Sequence, residues 1–362
     1  MTLKSHADLP PIPEAMADLL PGGHPWADAH ILDPMTAPPL RWGILGAGGI
    51  AHTFARDVPA HTRSTVVAVA ARDTDRAQAF AAAHNIASAY GSYQELLTND
   101  QVDAVYVAVI HPYHEELAHM AIEAGKALLV EKPFMMDSAQ TQRVLTAARE
   151  AGTFLMEAMW TRHLPQHTLM QGILDAGALG QVVTVHADHG QALRHVPRLT
   201  EKELGGGSLL DLGVYPISFI QSVLGNTTRL CAASAHMTQA DVDAQVAAIF
   251  EGAGALATAT ANLDGRSATA AEVVCEWGAI EMPQQFYRPG QIRLRQFPEA
   301  GSYGDITSWD ATVDGGFQYE AAEVARCITA GLTQSSVMPW TDTLQVMQLM
   351  DQVRERINLS YD

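Results

Sequence analysis

Cysteine, positive charge and long apolar runs are all scarce in this chain of 362 residues. The three cysteines, Cys231, Cys275 and Cys327, lie too far apart for a disulfide framework or for the ligand spacing of a metal site. We therefore expect reduced, buried thiols. Lysine and arginine total 22 against 40 aspartates and glutamates, and the formal net charge of −18 argues against a nucleic-acid or anionic-membrane partner.

Three further absences remove other classes of protein. No run approaches the roughly 18 apolar residues that a membrane helix needs, and the N-terminus lacks the charged and apolar regions of a secretory signal. We therefore expect no membrane span and a cytoplasmic location. The GxSxG pattern of serine hydrolases and the GxxxxGK[ST] loop of P-loop nucleotidases are also missing. What remains is an acidic globular protein long enough for two domains.

The chain divides by pattern into four parts. Residues 1–39 hold eight of the 18 prolines and little helical periodicity, which predicts an N-terminal arm. Over residues 40–160, continuous apolar strands alternate with helices of ten to fifteen residues. This pattern is typical of βαβ units and predicts a doubly wound parallel sheet covered on both faces, as in a Rossmann domain.

Residues 161–340 follow a different pattern, in which apolar and polar residues alternate with period two. This predicts an α+β domain with a large, open, mainly antiparallel sheet. We expect this domain to bind substrate. The uncovered face of such a sheet needs a partner, so we expect a homodimer, and two dimers could pair into a tetramer. Residues 341–362 are predicted to form a C-terminal helix that packs back on the structure.

A GxGxxA sequence directly follows the first apolar strand and opens a helix; it comprises Gly46, Ala47, Gly48, Gly49, Ile50 and Ala51. In this context the pattern indicates a dinucleotide site. The first glycine permits a tight turn, the second lets the backbone approach a pyrophosphate, and the alanine allows close packing of helix on strand. The phosphates would meet free amides at the positive end of the helix.

The end of the second strand bears on the choice of cofactor. An acidic residue there usually holds the ribose of NAD, but this strand ends in Arg72 followed by Asp73. An arginine can pair with a 2′-phosphate, which favours NADP while leaving NAD possible. Asp73 could cap the next helix or turn towards the ribose hydroxyls, and the sequence leaves both alternatives open.

Histidine pairs raise the possibility of zinc, but their spacing argues against it. His114 and His119 are five residues apart, whereas a zincin helix needs histidines at i and i+4. His163 and His167 are four apart without an identifiable third ligand, and we expect them on a solvated helix face. No metal site is predicted.

Several separated motifs resemble those of the Gfo/Idh/MocA oxidoreductases. They are residues 41–51, His111-Pro112-Tyr113-His114, Glu131-Lys132-Pro133, residues 157–162, residues 205–216, Tyr319-Glu320 to Gly331, and Met338-Pro339. The similarity runs from about residue 40 to the C-terminus and is greatest to the branch containing dimeric dihydrodiol dehydrogenase and NADP-dependent D-xylose dehydrogenase. It implies a nicotinamide cofactor between an N-terminal Rossmann domain and a C-terminal sheet that mediates dimerisation.

The resemblance also implies roles for particular residues. Lys132 matches the catalytic lysine of the family, and Asp211 and Tyr215 match the two polar positions that face it. Most members carry histidine where this chain has Tyr215, which moves the expected substrate from inositol towards aldoses or cyclic diols. Further positions are expected to bind the cofactor, namely His111, His114, Glu131, Lys132 and Pro133.

These residue types suit hydride transfer between a nicotinamide ring and a carbinol. Tyr215 is the candidate base for the hydroxyl proton, and the charge of Lys132 would stabilise its phenolate. Trp160 could stack on a sugar ring and Arg162 could reach its hydroxyls; Trp160 could instead pack between domains, and Arg162 could instead form a salt bridge. The sequence thus predicts an NAD(P)-dependent sugar or cyclic-diol oxidoreductase. The alternatives are an enzyme that shuttles hydride between two substrates on a tightly bound cofactor, and a non-catalytic NADP sensor.

Overall fold

The computed structural model describes residues 4–297, 302 and 304–361. Its contacts divide the chain into two compact units. We call Asp33–Trp160 with Gly315–Met347 the parallel-sheet unit, and Met1–Leu32, Thr161–Asp314 and Gln348–Asp362 the mixed-sheet unit. Each is described by itself.

The strands, in chain order, are β1 (Arg41–Leu45), β2 (Thr65–Ala70), β3 (Ser88–Tyr90), β4 (Ala104–Val107), β5 (Ala127–Glu131), β6 (Leu155–Ala158), β7 (Val182–Gly190), β8 (Arg229–Met237), β9 (Asp243–Gly252), β10 (Ala255–Asn262), β11 (Ala271–Cys275), β12 (Gly278–Met282), β13 (Gln291–Gln296) and β14 (Ile306–Asp310). The first six form one sheet and the other eight form a second.

The α-helices are α1 (Glu14–Ala17), α2 (His24–His30), α3 (Gly49–His61), α4 (Thr74–His84), α5 (Tyr93–Leu97), α6 (His114–Glu123), α7 (Ser138–Ala151), α8 (Pro165–Asp175), α9 (Val214–Leu224), α10 (Phe317–Thr329) and α11 (Trp340–Arg356). Short 3₁₀ helices join several of these elements, and one π-helical turn, Leu209–Gly213, leads directly into α9.

The sheet of the parallel-sheet unit has the strand order β3-β2-β1-β4-β5-β6, and every neighbouring pair is parallel. Its central strands are buried along their whole length, as in β4, because helices cover both faces of such a sheet. The strand order is that of a Rossmann domain. This confirms the predicted fold of the first region.

Local sequence explains where the helices of this unit begin and end. The side chain of Asp73 caps α4, and that of Asp137 caps α7 by accepting a hydrogen bond from the backbone of Gln140. At the other end of α7, Gly152 takes the left-handed conformation that glycine adopts without steric cost. Capping groups therefore set these boundaries as the sequence pattern indicates.

The mixed-sheet unit has the order β14-β13-β12-β11-β7-β10-β9-β8, in which β7 and β10 are parallel and all other neighbours are antiparallel. Alternate residues of β9 and β10 are buried and exposed, as expected for a sheet with one covered face. The α9 helix packs against β7 and β10 on the covered side. The predicted mainly antiparallel sheet is thus confirmed.

The helical stretch Lys202–Thr227 is long and apolar enough to cross a membrane by length and composition alone. However, 89% of the apolar 18-residue window within it is buried inside the structure. Burial of this degree is typical of the core helix of a folded domain. Its apolar side chains are occupied in packing within the mixed-sheet unit.

The chain divides differently from the four parts drawn from the sequence. Residues 315–340, assigned to the second domain by pattern, lie in the parallel-sheet unit because α10 packs against α3. Residues 4–32 belong to the mixed-sheet unit rather than to a separate arm. The expectation of buried thiols is wrong for Cys231, which is exposed because it lies on the edge strand β8; Cys275 and Cys327 are buried.

The proline-rich N-terminal segment, residues 4–32, packs on the mixed-sheet unit through specific contacts. The indole nitrogen of Trp309 donates to the carbonyl of Pro10 at 2.8 Å. The ring of Trp26 lies so close to Gly172 in α8 that a Cβ there would come within 2.2 Å of it. The absence of a side chain at Gly172 therefore makes room for the segment.

Candidate active site

The glycine-rich turn between β1 and α3 is open on one side and tightly packed on the other. Gly46 has a φ of +114°, and a Cβ there would lie 2.4 Å from the carbonyl oxygen of Ala108, so only glycine fits. Beside Gly48 and Gly49, a Cβ would meet no atom within 4 Å. No side chain caps α3, so its first amides are available to the phosphates of a dinucleotide.

Two arginines lie near this turn at the end of β2. Arg72 is exposed, with its guanidinium 4.7 Å from the ring centroid of Tyr113. Arg76 is also exposed and donates to the carbonyl of Ala47 at 3.3 Å. Sequence reasoning missed Arg76, although its place in the first turn of the helix after Arg72 was a usable signal.

Asp73 is engaged as a helix cap. Its Oδ1 accepts hydrogen bonds from the backbone nitrogens of Asp75 at 2.9 Å and Arg76 at 3.4 Å. Of the two roles left open by the sequence, the structure shows the cap. Oδ1 of Asp73 therefore caps the start of α4.

Lys132 follows β5 directly, is half-buried, and precedes Pro133 through a cis peptide bond. Its backbone nitrogen donates to Oε2 of the buried Glu131 at 3.0 Å, and the hydroxyl of Tyr106 donates to Oε1 of the same carboxylate. Glu131 thereby ties the backbone of Lys132 to β4. The Glu131 carboxylate thus accepts a hydrogen bond from the backbone of Lys132.

His114 is wholly buried and joins two loops. Its Nε2 lies 3.0 Å from the carbonyl of Val109, and its Nδ1 lies 3.1 Å from those of Pro133 and Phe134. Burial lowers the pKa of the imidazole from its usual range, although the backbone carbonyls that it faces oppose this shift. His111 is buried beside it, with 5.8 Å between the ring centroids. These contacts give His114 a role in holding the backbone after Lys132.

A second carboxyl group, Glu320 on α10, is completely buried in the same unit. Within the part of the chain that the structure describes, neither of its oxygens has a hydrogen-bond partner. Burial, and to a lesser extent the negative charge of Glu131, raise the pKa of Glu320 well above its usual range, which favours its protonated form. Sequence reasoning missed it because an acid in an amphipathic helix reads as a surface residue.

Trp160 is buried and stacks on Phe317, with 4.7 Å between centroids and 24° between planes. One face of the indole is therefore covered by a neighbouring ring of the parallel-sheet unit. This is a packing contact within the parallel-sheet unit, and it does not test the packing between domains that the sequence left open.

In the mixed-sheet unit, Asp211 lies in the π-helical turn and forms an ion pair. Both Nη atoms of Arg198 donate to its Oδ1, at 3.1 and 3.0 Å. Asp211 is buried, whereas Arg198 is partly exposed. Arg198 was not among the predicted residues, because its loop carries no recognisable pattern.

Tyr215, in the first turn of α9, belongs to a cluster of three rings. Its ring centroid lies 5.1 Å from that of His189 and 5.3 Å from that of Tyr287. His189 stacks on Tyr287 at 4.5 Å, and its Nε2 accepts a hydrogen bond from the side-chain amide nitrogen of Gln191 at 2.8 Å. Neither His189 nor Tyr287 could be found by spacing, since they come from β7 and from the loop before β13.

Arg162 is buried, and its guanidinium contacts α9. Its Nε donates to the hydroxyl of Ser218 at 3.0 Å, and its Nη2 donates to the carbonyl of Ser218 at 2.9 Å and to the side chain of Gln221. The expectation of a solvated face is wrong for His163 and His167, which are buried. Burial lowers the pKa of His167 to about 3.

The comparisons with known proteins complete these observations. A family model described as "Oxidoreductase family, NAD-binding Rossmann fold" matches residues 40–159, and one described as "GFO/IDH/MocA C-terminal domain" matches residues 167–281. The chain belongs to the Gfo/Idh/MocA oxidoreductase family. It is an enzyme, a nicotinamide-nucleotide-dependent dehydrogenase acting on CH–OH groups.

Among the relatives of this Gfo/Idh/MocA enzyme is trans-1,2-dihydrobenzene-1,2-diol dehydrogenase of Danio rerio, 38% identical over 89% of this chain and 98% of the relative. The Bos taurus protein of the same name is 33% identical over the same shares. A 3-ketoreductase from Actinomadura kijaniata, crystallised with NADP and TDP-benzene, superimposes with a TM-score of 0.77 at 28% identity, over 88% of this chain and 98% of that one.

The two units of this Gfo/Idh/MocA enzyme each collect part of the predicted set. The parallel-sheet unit brings Lys132, Pro133 and His114 together, and it places Arg72 near the glycine turn. The mixed-sheet unit joins Asp211 and Tyr215 through adjoining turns of one continuous helical segment. Within the described residues, no group of three or more histidine, cysteine, aspartate or glutamate side chains could hold a metal ion.

Proposed function

We propose that this enzyme is an NADP-dependent dehydrogenase that oxidises a secondary hydroxyl group of a cyclic diol or a pyranose sugar. The observation that carries the proposal is the cluster of Tyr215, His189 and Tyr287, which surrounds a candidate base with aromatic rings. Ring faces suit a flat or cyclic substrate, and the adjacent Asp211 supplies a carboxylate for its hydroxyl groups. The diol dehydrogenases among the relatives support the same substrate class.

The preference for NADP is supported by charge. Arg72 and Arg76 are exposed near the turn that would hold the pyrophosphate, while Asp73 is committed to capping α4. A 2′-phosphate bound there would lie near two guanidinium groups, while the carboxylate of Asp73 caps α4. The residues that would hold the cofactor are thus the glycine turn over 46–50, the two arginines and the segment around Lys132.

The proposed chemistry divides between two proton-handling residues. A nicotinamide nucleotide held by the glycine turn and the segment around Lys132 would supply the acceptor for the hydride of the carbinol carbon. The Tyr215 hydroxyl, as phenolate, takes the hydroxyl proton of the substrate, and the Lys132 ammonium stabilises negative charge on the substrate oxygen. We assign His114 and Glu131 the task of holding the backbone that carries Lys132.

The remaining residues of the site receive narrower proposals. Arg198 neutralises Asp211 in the absence of substrate, so a substrate hydroxyl would share that carboxylate with the guanidinium. Arg162 supports α9 through Ser218 and thereby supports Tyr215. Trp160, stacked on Phe317, would offer an edge or its remaining face to the substrate.

We also propose that the enzyme is a homodimer that associates through the open face of the mixed sheet. Ile249, Leu256 and Ile306 are exposed by 42%, 55% and 47% and lie on this face. Exposed aliphatic side chains on a broad sheet favour burial against a second copy. Replacing Leu256 and Ile249 by lysine should yield a monomer in light scattering coupled to gel filtration, and an unchanged mass would contradict this interface.

The first experiment mixes the purified enzyme with NADP or NAD and, separately, trans-1,2-dihydrobenzene-1,2-diol, xylose, glucose and inositol. Reduced nicotinamide is followed by its absorbance. We expect turnover with NADP and either the diol or an aldose. Turnover confined to inositol, or to NAD, would contradict the proposal. If no substrate reacts, mass spectrometry of the native protein would reveal a retained cofactor, as the hydride-shuttling alternative requires.

A further inference from the structure

The glycine-rich segment 205–208 runs directly into the π-helical turn that carries Asp211 and then into α9 with Tyr215. Glycines at three successive positions leave a backbone with many accessible conformations. Gly207 has a φ of +115°, a conformation that other residues rarely adopt. Contacts from outside the segment are therefore needed to fix the start of the helix.

Asp243, the first residue of β9, makes one set of these contacts. Its Oδ2 accepts hydrogen bonds from the hydroxyl of Ser208 at 2.6 Å and from the backbone nitrogen of Leu209 at 2.7 Å. Its Oδ1 lies where a Cβ on Gly207 would come within 2.2 Å. The carboxylate therefore holds the first amide of the helical turn and requires glycine beside it.

Tyr361, near the C-terminus, makes a further contact with the segment. Its hydroxyl donates to the carbonyl of Gly206 at 2.6 Å. The guanidinium of Arg354 in α11 lies 5.1 Å from the centroid of its ring. Tyr361 thus holds the carbonyl of Gly206, close to the place where Asp243 lies against Gly207.

Burial opposes the charge on Asp243. The side chain is fully buried, and desolvation raises its pKa to about 6 although the donors from Ser208 and Leu209 lower it. The titratable and charged groups near it are Tyr361 and, beyond it, Arg354. An apolar residue would avoid the desolvation but would leave the Leu209 amide and the Ser208 hydroxyl without their acceptor.

We propose that Asp243 and Tyr361 are positioning residues, a two-point clamp on the segment 205–208 that sets the orientation of Asp211 and Tyr215. The inference rests on the proposed function for the assignment of Asp211 and Tyr215. It adds Asp243 and Tyr361 to the residues on which the site depends. Both act through the backbone that leads to the helical turn.

The test compares Asp243→Ala, Asp243→Asn and Tyr361→Phe with the matched control Asp241→Asn. Asp241 is exposed, two residues away, and has a φ of +54°, which asparagine tolerates. With NADP and the diol, we expect Asp243→Ala to lower kcat at least about tenfold without changing the KM for NADP. Asparagine, which keeps an acceptor oxygen, should restore kcat to within about threefold. Tyr361→Phe should lower kcat about threefold, and the control should not change it.

Assays are run well below the melting temperature of each variant, so that unfolding does not enter. A wild-type kcat in Asp243→Ala would overturn the proposal, as would an equal loss in Asp241→Asn. If Asp243→Ala does not fold, Tyr361→Phe decides, since it removes only one hydroxyl. Should the wild-type enzyme turn over no substrate, the proposed function fails separately, and hydrogen exchange decides the clamp. Faster exchange over 206–215 in Asp243→Ala or Tyr361→Phe supports it, and unchanged exchange refutes it.

Discussion

The two units build their parts of the proposed site in different ways. In the parallel-sheet unit, the glycine turn follows β1, the arginines follow β2 and Lys132 follows β5, so each group sits at the end of a strand. In the mixed-sheet unit, Tyr215 meets His189 and Tyr287, which come from elements far apart along the chain. The first arrangement follows from the fold alone, whereas the second depends on tertiary packing.

The two units also treat buried charge differently. In the parallel-sheet unit, Glu131 accepts hydrogen bonds from two donors, and the pKa of Glu320 is raised by burial and by the charge of Glu131. In the mixed-sheet unit, Asp211 is balanced by an arginine and Asp243 by a hydroxyl and an amide. Buried carboxyl groups therefore cluster at both parts of the proposed site, where they fix backbone and side chains.

The largest expected effect tests whether the two units act on one hydroxyl group. Lys132→Met should lower kcat about 10³-fold and Tyr215→Phe by about 10²- to 10³-fold, because each removes a proton-handling group. If both act on the same hydroxyl, the double variant should be no slower than the slower single variant. Steady-state kinetics and NADP titration check this. Multiplying losses would contradict a shared role, and Lys126→Met, at the other end of β5, serves as the unaffected control.

The next effect concerns cofactor choice, which only the parallel-sheet unit should control. Arg72→Ala and Arg76→Ala should each raise the KM for NADP about 10- to 100-fold and leave that for NAD unchanged, since a charge-assisted pair with the 2′-phosphate is lost. Asp73→Ala should cost about 1 kcal/mol of stability as a lost cap but keep the NADP to NAD ratio. A changed NADP to NAD ratio in Asp73→Ala would instead indicate that Asp73 contacts the ribose hydroxyls.

A third prediction concerns stability against pH in the mixed-sheet unit. Because the pKa of Asp243 is raised to about 6, the folded state holds its proton at a higher pH than the unfolded chain does. The free energy of unfolding should therefore fall as pH rises from about 4 to about 6, by up to about 3 kcal/mol from this group. Denaturant titrations at several pH values should show that the free energy of unfolding changes less with pH in Asp243→Asn than in the wild type. An identical profile would show that other groups govern this window.

The smallest effect tests how the N-terminal segment joins the mixed-sheet unit. Gly172→Ala should cost about 1 to 2 kcal/mol, because the new methyl group would collide with the ring of Trp26. In a Trp26→Ala background the same change should be neutral or stabilising by up to about 1 kcal/mol, since alanine favours a helix. Thermal melts of the four proteins measure this coupling, and equal effects in both backgrounds would rule out the contact.

The sequence by itself determined the class of fold, the dinucleotide turn and the family. Apolar runs and period-two alternation are local patterns, and they set the two kinds of sheet. The positions of Lys132, Asp211 and Tyr215 within motifs could likewise be read without coordinates. Their roles remain predictions until the variants are measured.

Only the tertiary structure decided the surroundings of these residues. It turned Asp73 to the start of α4, buried His163 and His167, paired Arg198 with Asp211 and moved α10 into the parallel-sheet unit. It also brought two residues that are far apart in the sequence, Asp243 and Tyr361, to the glycine-rich segment 205–208. Such contacts depend on which faces pack together, and spacing along a single chain carries no information about residues that meet only after folding.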